Sequence, residues 1–296
     1  MREQFVKTVT SIGKKDNSLV VLTADISHYR LEPFAKACPG RYYNVGICEN
    51  TMTTMASGLR MVGLIPVIHS MTPFVVEKCY EQIKLDLAHQ ELGCNIVTTG
   101  GAFDYSTLGA THHCYTDFAL LKPLPNTNIF CPGSKQEFDQ LFRQVYKNNK
   151  INYFRLSNKS HSLKLDATVG NGVLVKEGSR MTVIVTGGQL DNVVKAVGKK
   201  DVEIIYIHTI KPLDCKLIAQ SIQKTKNVLV VEEHSRYGGL GDEVLHSCNN
   251  NIICRNMAIP ETFIREYGSY EDLCKHIGLT EADIRKKINA QYSKKL

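Results

Sequence analysis

Nowhere in the 296 residues does an apolar run approach the length of a membrane span, and Met1 is followed by Arg2, Glu3 and Gln4 rather than an apolar leader. A cytoplasmic protein without a membrane segment is the expectation. No C-x-x-C pair occurs, and none of the ten cysteines, spread from Cys38 to Cys274, falls in a Cys/His cluster with zinc spacing. Buried, reduced thiols are expected, with no metal held by this chain. Tryptophan is absent altogether, which says nothing about function. Also missing is a basic stripe with interleaved aromatics. The net charge of +7 comes from scattered Lys and Arg, ending in Lys286, Lys287, Lys294 and Lys295. That cluster reads as a solvated helix face, not a nucleic-acid surface.

What is present is globular: 43% hydrophobic and 22% charged residues, over a length that allows two ordinary domains. Short β-branched runs alternate with amphipathic stretches, the pattern of parallel sheets joined by crossover helices, so the fold class is α/β. Strands are expected at Leu19 to Thr23, Ile65 to His69, Asn95 to Thr99, Ile129 to Pro132 and Tyr153 to Leu156. Helices are expected to begin near Glu49, Phe74 and Lys135. The polar, Gly-containing segment after Ser160 reads as a hairpin-like connector. It divides the chain into a first domain (1–160), a linker (161–177) and a second domain (178–296). Further strands are expected at Thr182 to Thr186, Glu203 to Ile207, Val228 to Val231 and Ile252 to Arg255. The last helix should open on a capping box formed by Thr280 and Asp283.

Four places carry chemistry. Glu49 opens a helix after a Gly-containing stretch, where the helix dipole alone would favour a capping carboxylate. Asp25 follows the first strand, where α/β sheets place ligand loops, although an Asx turn equally explains an Asp there. Phe74 begins the segment that runs on to Tyr80, Glu81 and Gln82, and a core phenylalanine is its ordinary explanation. His112 and His113 share a Gly-containing loop, and a loop histidine need have no role. The run Gly238, Gly239 and Gly241 lacks the full G-x-G-x-x-G pattern and reads as a tight strand-to-helix turn.

Taken together, these words resemble the transketolase superfamily over almost the whole chain. Gly46, Ile47 and Glu49 match its G-I-x-E signature, and Ala56, Gly58, Leu59 and Gly63 match the run that follows. The resemblance implies two three-layer α/β/α domains, a pyrimidine-binding thiamine-diphosphate fold and the transketolase carboxy-terminal domain, the latter matched by Ile210 to Asp214 and Glu232 to Gly241. It implies that Glu49 hydrogen-bonds the aminopyrimidine nitrogen of thiamine diphosphate and that Phe74 stacks on that ring. Asp25 and Met71 would lie beside it, Met71 standing where an aromatic residue is common. His112, and less directly His113, would face the reacting carbons, moving protons and stabilising charge.

Departures from the family pattern concern the substrate. Leu108 stands where an Asp would meet a sugar hydroxyl, and Asn158 where an Arg would meet a phosphate, leaving Arg155 and Lys159 as the nearby cations. Ordinary pentose phosphates are therefore in doubt. The family's G-D-G motif with a following Asn-Asn, which holds diphosphate and a divalent metal, has no counterpart: Gly241-Asp242 with Asn249 to Asn251 has the wrong third residue and too short a gap. The expectation is a subunit of a split transketolase, moving a two-carbon ketol unit between sugars. A separate amino-terminal subunit would hold the diphosphate with Mg²⁺ or Ca²⁺. This chain would pair with itself and form a two-plus-two heterotetramer with that partner. The alternatives are a 2-oxo acid dehydrogenase beta subunit, an enzyme like 1-deoxyxylulose-5-phosphate synthase, or a non-catalytic scaffold.

Overall fold

The computed structural model describes residues 1–246 and 253–293. The expected strand residue Ile252, the candidate run Asn249 to Asn251, and Lys294 and Lys295 lie outside the described residues.

Twelve strands are present among these residues: β1 (Leu19–Thr23), β2 (Tyr42–Asn44), β3 (Ile65–Met71), β4 (Cys94–Thr99), β5 (Thr127–Phe130), β6 (Ile151–Leu156), β7 (Val173–Lys176), β8 (Thr182–Thr186), β9 (Glu203–Ile207), β10 (Thr209–Lys211), β11 (Asn227–Ser235) and β12 (Ile253–Ile259). Seven form one sheet in the order β10-β5-β6-β4-β3-β1-β2, and five form a second in the order β12-β11-β8-β9-β7. All pairings are parallel except β10 with β5 and β7 with β9.

Helices cover both faces of the sheets, which is why the central strands are unbroken apolar runs. In β1 every residue is buried, yet successive side chains enter different cores. Val20 and Leu22 join a cluster with Met52 and Ala56 of the helix Glu49–Met61. Leu19 and Val21 join one with Phe5, Val9 and Phe138 from the helices Arg2–Gly13 and Lys135–Val145. This two-residue alternation is the strand's own geometry, and it fixes register, since a slip of one residue would exchange the two sets. The first cluster runs on into the second sheet through Ile184, Ile205 and Val228, so the two sheets share an apolar core.

Three features differ from the sequence reading. The segment expected as linker ends in β7, which pairs antiparallel with β9 and belongs to the second sheet. Its polar, Gly-containing character marked it as hairpin-like, and the strand it pairs with lies well downstream. Strand β10 comes from the second half yet pairs with β5 of the first sheet. The stretch near Phe74 is not a regular helix: the Lys78 N–H bonds the carbonyl of Pro73, five residues back, at 3.1 Å. A second wide turn spans Ile83–Ala88. Such widened turns recur at functional sites.

The final helix, Glu281–Tyr292, has the expected box: Thr280 N–H donates to Asp283 Oδ2 at 3.1 Å, and Asp283 N–H to Thr280 Oγ1 at 3.2 Å. Most of the described cysteines are buried, but Cys48 and Cys215 are exposed, against the expectation that the thiols lie inside. No described helix is long and apolar enough to cross a membrane.

Candidate functional site

Parallel sheets present ligand loops at the carboxyl ends of their strands. Here the ends of β1 and β3 and the start of the helix Glu49–Met61 converge on a cavity of about 200 Å³ lined by Ala24, Asp25, Ile26, Ile47, Glu49, Ser70, Met71 and Phe74. Four candidates from three parts of the sequence, Asp25, Glu49, and Met71 with Phe74, therefore meet at one place.

Each is positioned by local structure. The chain turns through Gly46, whose φ of 71° is left-handed, and enters the helix at Glu49, so the carboxylate sits at the positive end of the helix dipole. Glu49 is 2% exposed. Its Oε2 accepts from Lys78 Nζ at 2.8 Å, and the Lys78 side chain is 48% exposed. Lys78 was not singled out from sequence. It lies just past the widened turn Pro73–Glu77, whose geometry the sequence does not announce, so no sequence signal pointed to it.

Asp25 also adopts a left-handed backbone, with φ of 62°. Its amide N–H donates to Asn44 Oδ1 at 2.9 Å, and its carboxylate accepts from Asn44 Nδ2 at 3.2 Å. Asn44, the last residue of β2, thus sets the acid in place beside the cavity. Asp25 remains exposed, and His28 Nδ1 lies 3.7 Å from its Oδ1.

His112 reaches the same site from the loop after β4. Its ring stands edge-on to Phe74, with centroids 5.4 Å apart and planes at 71°. The Thr111 hydroxyl lies 2.9 Å from its Nδ1, a contact that orients the ring and does not engage Nε2. His113 turns inward: it is 4% exposed, and burial and the neighbouring His112 hold its imidazole below the ordinary value of 6.5. Leu108, on the same loop, is 47% exposed.

The remaining two candidates lie elsewhere. Arg155 is buried, with Nη1 3.4 Å from Asp117 Oδ1 and Nη2 donating to the carbonyl of Glu233 at 2.6 Å. Its guanidinium also covers the Phe118 ring at 4.9 Å. These contacts commit the group to joining the two sheets, and an arginine so enclosed offers nothing to an incoming phosphate. Lys159 sits over the Tyr270 ring at 5.5 Å, with Glu271 Oε1 3.8 Å away. Neither cation lines the cavity with Glu49.

The glycine turn after β11 is occupied from within. Glu232 accepts N–H bonds from Leu240 at 2.6 Å and Gly241 at 2.9 Å, and a side chain in place of Gly239 would strike its carboxylate. The amides that would cradle a phosphate already hold a carboxyl group. Among the described residues no three His, Cys, Asp or Glu side chains gather as a metal site.

Comparison with known proteins agrees with this geometry. Residues 1–162 match the family model described as transketolase, pyrimidine binding domain, and residues 170–284 match transketolase, C-terminal domain. One subunit of the apulose-4-phosphate transketolase of Phocaeicola vulgatus is 27% identical, with 96% of this chain and 95% of that one covered. The 6-deoxy-6-sulfo-D-fructose transketolase subunit SqwH of a Clostridium species is 26% identical, covering 96% and 92%. A solved structure described as a split gene transketolase, inactive beta4 tetramer, superposes with a TM-score of 0.89 at 26% identity, over 99% of this chain and 98% of that one. With both halves matched in order and the cavity built at the expected strand ends, the chain belongs to the transketolase family.

Proposed function

We propose that this chain is the pyrimidine-binding half of a split, thiamine-diphosphate-dependent transketolase of the cytoplasm. It moves a two-carbon ketol unit from a ketose donor to an aldehyde acceptor, with a partner subunit holding the diphosphate and its Mg²⁺ or Ca²⁺. The observation that carries the reading is the buried Glu49 carboxylate in a cavity shared with Met71 and Phe74, against which His112 packs.

The residues fit an aminopyrimidine. Such a ring needs one hydrogen-bonded edge and two apolar faces, and the cavity offers a carboxylate together with Phe74, Met71, Ile26 and Ile47. When bound, thiamine diphosphate supplies the carbon nucleophile that no side chain provides. Glu49 holds a proton at the ring nitrogen, in a setting where burial strengthens the hydrogen bond. Phe74 and Met71 exclude water from the ring faces, and Asp25 borders its open rim. His112, through Nε2, donates to the substrate oxygen as charge develops and takes the proton back afterwards. His113 supports that loop from behind.

Partner dependence is supported by the open side of the cavity, where Ile47 is 74% exposed, an apolar wall left for another surface to cover. The apulose-4-phosphate and sulfofructose relatives, matched over their whole length, are themselves described as subunits, and the structural neighbour composed of β chains alone is described as inactive. The test is a ketol-transfer assay of the complex purified with its partner, run beside a pyruvate decarboxylation assay. Transfer from a ketose supports the proposal. Decarboxylation without transfer would assign the chain to the 2-oxo acid dehydrogenase beta subunits or the 1-deoxyxylulose-5-phosphate synthases. Full turnover with Glu49 replaced would make it a scaffold.

A further inference from the structure

The loop between β4 and the helix Asp117–Leu121 carries more polar groups than its hydrogen bonds explain. The phenol oxygen of Tyr105 is buried and makes no hydrogen bond. Buried polar groups in native chains are nearly always paired, because leaving one unpaired is costly. An unpaired hydroxyl at this place needs an explanation.

The position of Tyr105 supplies it. Gly100 is the first residue past β4, with φ of 84°, and a side chain there would collide with the Tyr105 ring. The ring fills the room that this glycine leaves at the carboxyl end of a central parallel strand, the place where such sheets receive ligands. Its centroid lies 6.4 Å from that of His112, which in turn lies 5.4 Å from that of Phe74. Tyr105 therefore stands in a row of rings leading to the Glu49 cavity. Leu108, exposed on the same loop, has no side-chain hydrogen bond to give, while Arg155 and Lys159 face Asp117 and Glu271. Recognition from this loop rests on neutral donors.

We propose that Tyr105 is a substrate-contact residue whose phenol O–H donates to an uncharged oxygen, a hydroxyl or carbonyl, of the sugar held against His112. The inference rests on the transketolase reading and narrows it. The part of the substrate next to the reacting carbons is recognised through neutral oxygens, and a phosphate or other anion is not required there.

Tyr105→Phe separates this role from simple filling, since it keeps the ring over Gly100 and removes only the hydroxyl. In the complex purified with its partner, the variant should lose about tenfold in kcat/KM for ketol transfer, the worth of one hydrogen bond. It should also stop discriminating against a donor deoxygenated at the contacted position, which the wild type rejects. Thiamine diphosphate affinity and the melting temperature of the chain should not fall, because the hydroxyl has no partner in the unliganded protein. Unchanged kinetics in an active complex would overturn the proposal and leave the transketolase reading standing. A lowered melting temperature accompanying the loss would show a structural hydroxyl and overturn it as well. A wild-type complex that transfers no ketol unit would remove the reading and this proposal together.

Discussion

Glu49 differs from an ordinary capping carboxylate in being buried beside a cavity, with a counter-ion that is half in water. Glu49→Gln removes a charge whose partner, Lys78, can resolvate, and exposed ion pairs contribute little to stability. The chain should keep its melting temperature while thiazolium proton exchange, followed by NMR in the assembled complex, slows by orders of magnitude. Near-normal exchange would remove Glu49 from its proposed role. For the two histidines the contrast is between forward and buried rings. His112→Ala should cost about 10²-fold in turnover with little change in cofactor affinity, as loss of one transition-state donor does. His113→Ala should cost less, and the reverse ranking would show that the roles were exchanged. Of the residues at this site, Glu49, Phe74 and His112 were legible because each stands inside a word of fixed spacing. Lys78 and Tyr105 were not, since a lysine near a helix start and a tyrosine in a loop are ordinary surface residues until tertiary contacts form.

Between elements, the two sheets are joined by buried polar groups. Asp117 at the head of its short helix meets Arg155 of β6 and the Tyr153 hydroxyl at 2.6 Å, while Arg155 reaches across to Glu233 of β11. Arg155→Ala would leave Asp117 buried without its cation, a loss of about 3–5 kcal/mol. Urea denaturation should show it, and a change below about 1 kcal/mol would mean the network is dispensable. Glu233 makes a pH-dependent contribution of a different sign from a surface acid. Burial pushes its carboxyl from the ordinary 4.5 up to about 7, although Gln189 donates to it at 2.9 Å. Between those two values the folded chain holds more protons than the unfolded one, so this group's contribution declines as pH rises through the window and is level above it. Glu233→Gln should therefore gain on the wild type between about pH 5 and about pH 7.5 in unfolding midpoints, and parallel profiles would contradict the assignment. Strand existence was readable at this scale because both faces are covered and the runs are apolar. The extents were less so: β11 continues to Ser235 through Glu232, Glu233 and His234, three polar residues that only buried partners make tolerable in a strand. The wide turns at Pro73–Glu77 escaped the sequence for the same reason, as their residues suit an ordinary helix equally well.

At the scale of the whole molecule, the split-enzyme proposal gives this chain only part of the cofactor site and so weak cofactor binding on its own. Calorimetry with thiamine diphosphate and Mg²⁺ should register little heat with the isolated chain and tight binding once the partner is added. Tight stoichiometric binding by the chain alone would end the split-enzyme proposal. Sedimentation of the isolated chain should give a homodimer, and a four-chain species would align it instead with the β4 state of its structural neighbour. The family resemblance ran the length of the chain, so the order of the two halves was legible, but their joining was not: β10 is three residues long and pairs with a strand some eighty positions earlier. That short pairing has an implication for how such a gene can be divided. A sheet that ended at β5 would present a bare row of amide and carbonyl groups, a template for pairing with other copies. Fission within residues 157–172 would take away the strand that blunts this border, and the first fragment would be prone to aggregate rather than stand as a module.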